Sequence, residues 1–413
     1  MSESSRTLKL LHTSDWHLGC TLCGRKRHDE AEAFLRWLGD AIERERVDIL
    51  LVAGDVFDSI APGNRAQELY YRFLRRIAAS CCRHAVITAG NDDSPSFLNA
   101  PRELLLEFGV HIVGSITGSP DDEALVLKDE SGADELVVCA VPYLRDRDIR
   151  CVEAGESLED KERKLTDGIA SHYETVCGRA RELARGVPAV AMGHLFAAGG
   201  RTVEGDGVRN LYVGSLARVG ADIFPEDLAY VALGHLHSPQ RIGGSDRVRY
   251  SGAPLPMGFG EAEQQKSVCL VEIPPSGPAS VRTLPVPRFR RLERICGDWD
   301  AIASRLFEMK AAGESAWIEA VCDDAHLVPD LRERFDEATS GTDLDILRIR
   351  SGKAAESALV GADDGENLAE LDEYEVFSRC LDANSVPEER RPDLERTYRE
   401  TLVSLREDDA VAE

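Results

Sequence analysis

Five short apolar runs, each closing on a residue of metal-ligand type, constrain this chain more than any other feature of its sequence. Residues 8–13 lead into Asp15 and His17, 48–53 into Asp55, and 85–89 into Asn91. Residues 188–192 lead into His194, and 230–233 into His235 and His237. Runs this short and this apolar read as strands buried on both faces. Glycines beside the ligands (Gly54, Gly90, Gly193, Gly234) permit tight turns where strand gives way to loop. Carboxylates, imidazoles and one amide delivered at strand ends suit two divalent cations sharing a bridging carboxylate. Taken singly each motif is weak, because an Asp-x-His or a Gly-Asp is most often a turn or a cap. It is the ordered set that carries the signal.

Between the strands lie amphipathic helices. Residues 31–46 place Phe34, Leu35, Leu38 and Ile42 at helical spacing, and 64–80 do the same with Leu69, Phe73, Leu74 and Ile77. A shorter helix is expected over 101–108, and further strands over 136–141, 248–251 and 267–273. This alternation predicts a layered α/β domain over residues 1–285. The Pro-rich stretch 273–278 reads as a loop near that domain's end, and Val286-Pro287 as its exit. Helix 299–311, strand 316–321, helix 329–339 and strand 345–350 then predict a small α/β domain over 286–353. Residues 354–413 form an acidic arm with apolar stripes over 368–381 and 392–405, two helices too small to make a core alone.

The net charge is −25, and 18 acidic against 6 basic side chains fall within 354–413. About half the excess therefore sits in the arm, where it suits a protein-binding role better than a phosphate-binding one. Bound cations invert the local field, so the charge does not exclude a phosphodiester substrate. No apolar run approaches the roughly 18–20 residues of a membrane span, and the first residues lack an apolar signal core, so the sequence reads as cytoplasmic. Eleven cysteines scattered through the chain fit free thiols in a reducing compartment. Cys20 and Cys23 have the spacing of half a zinc site, but no second pair follows.

The ordered motifs resemble those of the calcineurin-like metallophosphoesterases and, more narrowly, of the SbcD family of bacterial nuclease subunits. The narrower resemblance rests on Leu11-His12-Thr13-Ser14-Asp15-Trp16-His17-Leu18-Gly19 and Val52-Ala53-Gly54-Asp55-Val56-Phe57-Asp58. It rests also on Leu233-Gly234-His235-Leu236-His237-Ser238-Pro239-Gln240 and Tyr250-Ser251-Gly252-Ala253-Pro254-Leu255-Pro256-Met257. It implies an α/β sandwich of two mixed sheets flanked by helices, a capping domain and C-terminal helices. One metal would take Asp15, His17 and His237; the other Asn91, His194 and His235; Asp55 would bridge them. The family usually uses manganese, with magnesium as the alternative. The implied activity is 3′–5′ double-strand exonuclease and single-strand endonuclease cleavage of DNA ends and hairpins, in repair and recombination. The implied partner is an SbcC-like coiled-coil ATPase, gripped by the C-terminal helices. Helices around 64–80 and 96–108 would form a homodimer, giving a heterotetramer with the ATPase. Arg25, Lys26 and Arg27 would hold DNA backbone. A small-substrate phosphoesterase and a metal-bound scaffold that positions DNA ends without cleaving them are the alternatives.

One residue departs from the pattern. The family's third motif reads Gly-Asn-His-Asp, its histidine serving in catalysis as a proton donor or transition-state stabiliser, and Asp92 stands in that position here. A carboxylate of pKa about 3.9 beside cations is ionised and has no proton to give. Losing a general acid typically costs about 10²–10⁴-fold in rate. Three readings are open. Asp92 leaves a metal-loaded but slow enzyme, or another group such as His12 or His28 acts as the acid, or Asp92 itself coordinates metal. Asp55 and His194 remain the other expected catalytic residues.

Overall fold

The computed structural model describes residues 6–149, 157–201, 219–323 and 330–351, together with 377, 381, 391, 394 and 398. The expected C-terminal helices over 368–381 and 392–405 otherwise lie outside the described residues. Two compact units emerge, residues 1–291 and 292–413.

The first unit is a sandwich of two six-stranded mixed sheets. In one, the parallel strands Leu8–Thr13, Ile49–Ala53, His84–Thr88 and Val110–Val113 are flanked by the antiparallel hairpin Ser267–Ile273 and Ser280–Pro285. In the other, Asp134–Ala140, Ala189–His194, Tyr230–Gly234 and Ser245–Tyr250 run parallel, with antiparallel strands at both edges. Strand Ile49–Ala53 shows why its sequence is apolar without alternation. Ile49, Leu51 and Ala53 face the core between the sheets, among Val138, Val190, Met192 and Ala232. Leu50 and Val52 face the opposite way, onto the helices. Both faces are dry, so both must be apolar.

Helices His28–Glu45 and Asn64–Ala78 bury the stripes expected of them against the outer face of the first sheet. The short helix expected over 101–108 is Arg102–Leu106, and a further short helix, Pro95–Asn99, precedes Pro101. Helix Leu158–Ala184, which the sequence pattern does not predict, covers the second sheet with Leu165, Ile169, Tyr173 and Val176. No helix among the described residues is long and apolar enough to cross a membrane.

In the second unit, strands Leu292–Gly297, Ser315–Cys322 and Asp343–Ser351 form a parallel sheet with helices Trp299–Ala311 and Leu331–Thr339. The αβαβ pattern expected from sequence lacks the first of these strands. Ile302, Leu306, Met309, Ile318 and Phe335 build its core.

Candidate metal centre

The ligand-type residues all lie at or just beyond the C-terminal ends of parallel strands, three strands in one sheet and two in the other. Backbone bonds lock the first two loops together: Asp15 N–H donates to Gly54 O (2.9 Å), His17 N–H to Asp55 O (3.0 Å) and Leu18 N–H to Val56 O (2.9 Å). Asp15 (φ 54°), His17 (φ 44°), Asp55 (φ 49°) and His235 (φ 103°) all hold left-handed backbone. Such conformations cost about 1–3 kcal/mol each for residues with a Cβ and persist where the surroundings impose them. Gly54 (φ 81°) cannot carry a side chain, because a Cβ there would strike the His194 ring; one at Gly90 would strike the Asp55 carboxylate.

Asp15, His17, Asp55, His194, His235 and His237 are all buried, none more than 5 % exposed. Their acceptor atoms face one another. Ala53 O is an acceptor 3.0 Å from His194 Nδ1, so that nitrogen carries a hydrogen and Nε2 is the atom left to a cation. Nε2 points at the acceptors Asn91 Oδ1 (3.0 Å) and Asp55 Oδ2 (3.2 Å), to which the protonated ring donates. Asn91 donates through Nδ2 to Asp92 Oδ1 (3.1 Å), which turns its oxygen inward, and His235 Nδ1 lies 3.0 Å from the same oxygen. On the other side, His17 Nε2 lies 3.2 Å from His237 Nε2 and 3.8 Å from Asp55 Oδ2. Asp55 Oδ2 thus stands between the two halves of the cluster. Ligand atoms of Asp15, His17 and His237 lie within 4.8 Å of one another, as do those of Asp15, Asp55 and His194.

Electrostatics point the same way. Burial lowers the pKa of His17, but the Asp58 hydrogen bond and the charges of Asp55 and Asp15 outweigh it and raise it to about 9. Burial also lowers His194, and the charge and hydrogen bond of Asp55 raise it to about 9. Burial and the charge on His194 push His235 down to about 3. Burial raises Asp15 to about 6 against the nearby histidines. Burial would raise Asp55 too, yet His194 and His17 hold it well below the usual carboxylate range. The buried carboxylates demand compensating positive charge, supplied here by protons on His17 and His194, which a divalent cation displaces. Converging lone pairs, burial and the mixed O/N donor set fit two divalent cations.

Residues outside this set orient it. Asp15 Oδ1 accepts from the His235 backbone N–H (2.9 Å), and Oδ2 accepts from Ser14 Oγ (2.5 Å), itself 2.8 Å from Ser251 Oγ. Lys266 Nζ donates to His237 O (2.9 Å) and pairs with Glu261 (2.9 Å). Asp93, to which the sequence assigns no role, is fully buried and accepts from the backbone N–H groups of Val56 (3.1 Å), Phe57 (2.9 Å) and Gly90 (2.9 Å). It ties the loop carrying Asp55 to the loop carrying Asn91.

Two expectations change. Arg27 is 2 % exposed, forms a two-pronged pair with Glu30 (3.0 and 2.6 Å) and donates to Pro256 O (2.5 Å), so its guanidinium is not offered to a phosphate. Arg25 and Lys26 remain exposed on a short hairpin. His12 is no proton donor: it is buried, its Nδ1 lies 2.9 Å from Tyr230 Oη, and burial pushes it down to about 3. Cys20 is buried and Cys23 exposed, and among the described residues the groups able to hold a metal include no cysteine.

The family model for calcineurin-like phosphoesterases matches residues 8–239, and one described as the type 5 capsule protein repressor C-terminal domain matches 288–385. The SbcD subunit of the SbcCD nuclease of Escherichia coli K12 is 32 % identical over 403 residues, covering 96 % of this chain and 98 % of that protein. Its namesake in Rhodobacter capsulatus is 39 % identical over 287 residues, 68 % of this chain and 70 % of that one. That of Bacillus subtilis is 35 % identical over 280 residues, 66 % and 68 %.

Proposed function

The chain belongs to the SbcD family of calcineurin-like phosphoesterases, and from that premise we propose that it is a two-metal DNA nuclease subunit acting with an SbcC-type coiled-coil ATPase. The observation that carries this reading is the convergence of Asn91 Oδ1, His194 Nε2 and Asp55 Oδ2 within 3.0–3.2 Å, two oxygen acceptors about an imidazole nitrogen whose proton a cation would displace. Asp15, His17 and His237 hold one cation, Asn91, His194 and His235 the other, and Asp55 serves both. Manganese is the metal we propose, since the family usually uses it and the carboxylate and amide oxygens suit it. Bound cations supply Lewis acidity and neutralise charge developing on phosphate oxygens.

The protein's own residues do the rest. Ala53 O fixes the His194 tautomer, and Ser14 and the His235 backbone fix Asp15, so the donors are aimed before a cation arrives. Asp92 stands where the family has a proton-donating histidine, so cleavage is slower than a histidine there would allow. Arg25 and Lys26 contact the DNA backbone. The small α/β unit biases which DNA is bound, and the acidic segment 354–413 binds the ATPase. Tyr71, Leu104, Leu106 and Phe108 are exposed apolar side chains on or beside the helices expected at a dimer contact, which supports a homodimer. The test is cleavage of linear duplex and hairpin DNA with manganese and the ATPase, beside a nitrophenyl phosphodiester. Faster turnover of the small diester would overturn the nuclease reading. A second reading, a DNA-end scaffold, is favoured by Asp92 alone; it predicts DNA and partner binding with no cleavage at any manganese concentration.

A further inference from the structure

Asp92 does more than lack a proton. Its backbone N–H donates to Asp55 Oδ1 (2.9 Å), and its Oδ1 accepts from Asn91 Nδ2 (3.1 Å). Its Oδ2 lies 3.7 Å from His17 Nδ1, and its side chain is 16 % exposed. Ligand atoms of His17, Asp55 and Asp92 lie within 4.8 Å of one another, the same criterion met by the other two groups of the metal centre. A histidine at this position carries no anionic oxygen, whereas the Asp92 carboxylate brings a second negative charge within 4.8 Å of Asp55, which a cation between them would offset.

We propose that the Asp92 carboxylate is a direct ligand of the cation held by His17 and Asp55, an eighth ligand in addition to the seven strand-end residues. The proposal rests on the two-metal reading of the site. A hard oxygen donor here shifts the site further toward manganese or magnesium and away from zinc. It also takes a coordination position that water would otherwise fill. Asp58 provides the internal comparison. Its Oδ1 lies 3.3 Å from His17 Nδ1, yet it joins no group able to hold a metal among the described residues, so it supports the imidazole from outside.

The experiment uses the full chain and Mn²⁺ alone. Free Mn²⁺ is followed by electron paramagnetic resonance during titration, and coordinated waters are counted by water-proton relaxation at saturation. Outer partners of a ligand already cost about 10–100-fold in affinity, so losing a direct ligand in Asp92→Ala should raise one of two dissociation constants at least tenfold. The coordinated-water count should rise by about one in the same variant, as an opened position refills. Asp92→Ser, which keeps a polar side chain in the loop, should repeat both results. Asp58→Asn should weaken binding without changing the water count. An unchanged water count in Asp92→Ala and Asp92→Ser, whatever the affinity, overturns the proposal while leaving two-metal binding intact. Absence of Mn²⁺ binding by the unaltered protein would sink the two-metal reading itself, and the proposal with it.

Discussion

Replacing Asp93 with alanine removes an acceptor shared by three buried backbone donors. The carboxylate takes hydrogen bonds from Val56, Phe57 and Gly90 at 2.9 to 3.1 Å and is fully buried, so alanine leaves all three N–H groups unpaired. A buried unpaired donor costs about 1–3 kcal/mol, and some water will enter the space left behind, so a total of roughly 3–5 kcal/mol is expected. For a domain this large, 1 kcal/mol moves the melting temperature by about 2 °C, which puts the drop at roughly 6–10 °C. A second effect follows from position. Asn91 shares the loop that Asp93 anchors, so its oxygen loses its aim at His194 and His235, and manganese affinity should fall about 10–100-fold. Scanning calorimetry of the metal-free protein reads the first effect, and a Mn²⁺ titration the second. Asp93→Asn keeps one oxygen and should fall between wild type and alanine in both. A melting temperature lowered by less than about 2 °C, with unchanged manganese affinity, would refute the view that Asp93 clamps the two loops.

Other consequences are as direct. Asp92→His restores a group that donates a proton near neutral pH and should raise DNA cleavage about 10²-fold or more; no gain in endonuclease or exonuclease assays would show that Asp92 does not limit the rate. Arg27→Ala strands the buried Glu30 carboxylate and should cost about 3–5 kcal/mol in a denaturant melt. Arg25→Ala with Lys26→Ala should leave that melt unchanged and instead reduce the salt dependence of DNA binding by about 1–2 in slope; equal effects on stability from both sets would contradict the burial difference. His111 is pushed down to about 4, first by burial and then by the charge of His84, whose Nδ1 lies 3.1 Å from His111 Nε2. Its stabilising contribution is complete above the unfolded pKa of about 6.5 and is lost as pH falls toward 4. By pH 5 the loss is about 2 kcal/mol, and His111→Gln should show a correspondingly flatter stability profile between pH 7 and 5; identical profiles would refute the assignment.

Much of the fold is legible in the sequence because local pattern and burial coincide. Apolar runs such as 49–53 are strands because both faces are dry, and stripes such as Leu69, Phe73, Leu74 and Ile77 find the sheet at helical spacing. Helix Trp299–Ala311 appears over the expected residues for the same reason. Strand Leu292–Gly297 is not legible, because only Leu292 and Ile295 are buried in it, too few to declare a period. Helix Leu158–Ala184 is hidden because its buried positions are diluted by charged residues and by Gly168 and Gly178.

At the metal centre, residue types, their order and the neighbouring glycines are open to reading from the chain alone, and so is the oddity of Asp92. Those properties depend on chemistry and on short-range spacing. Whether a given side chain is used depends on what the fold carries to it from far along the chain. Arg25, Lys26 and Arg27 look alike in sequence, yet Glu30 and the distant Pro256 carbonyl take Arg27 out of solvent. His12 sits in the most diagnostic motif and is turned toward Tyr230, 218 residues away. Asp93 becomes a clamp only because Val56 and Phe57 are brought against it. Sequence determined which atoms could bind a cation; tertiary structure decided which of them face one another, because burial and hydrogen bonding are set by neighbours distant in the chain.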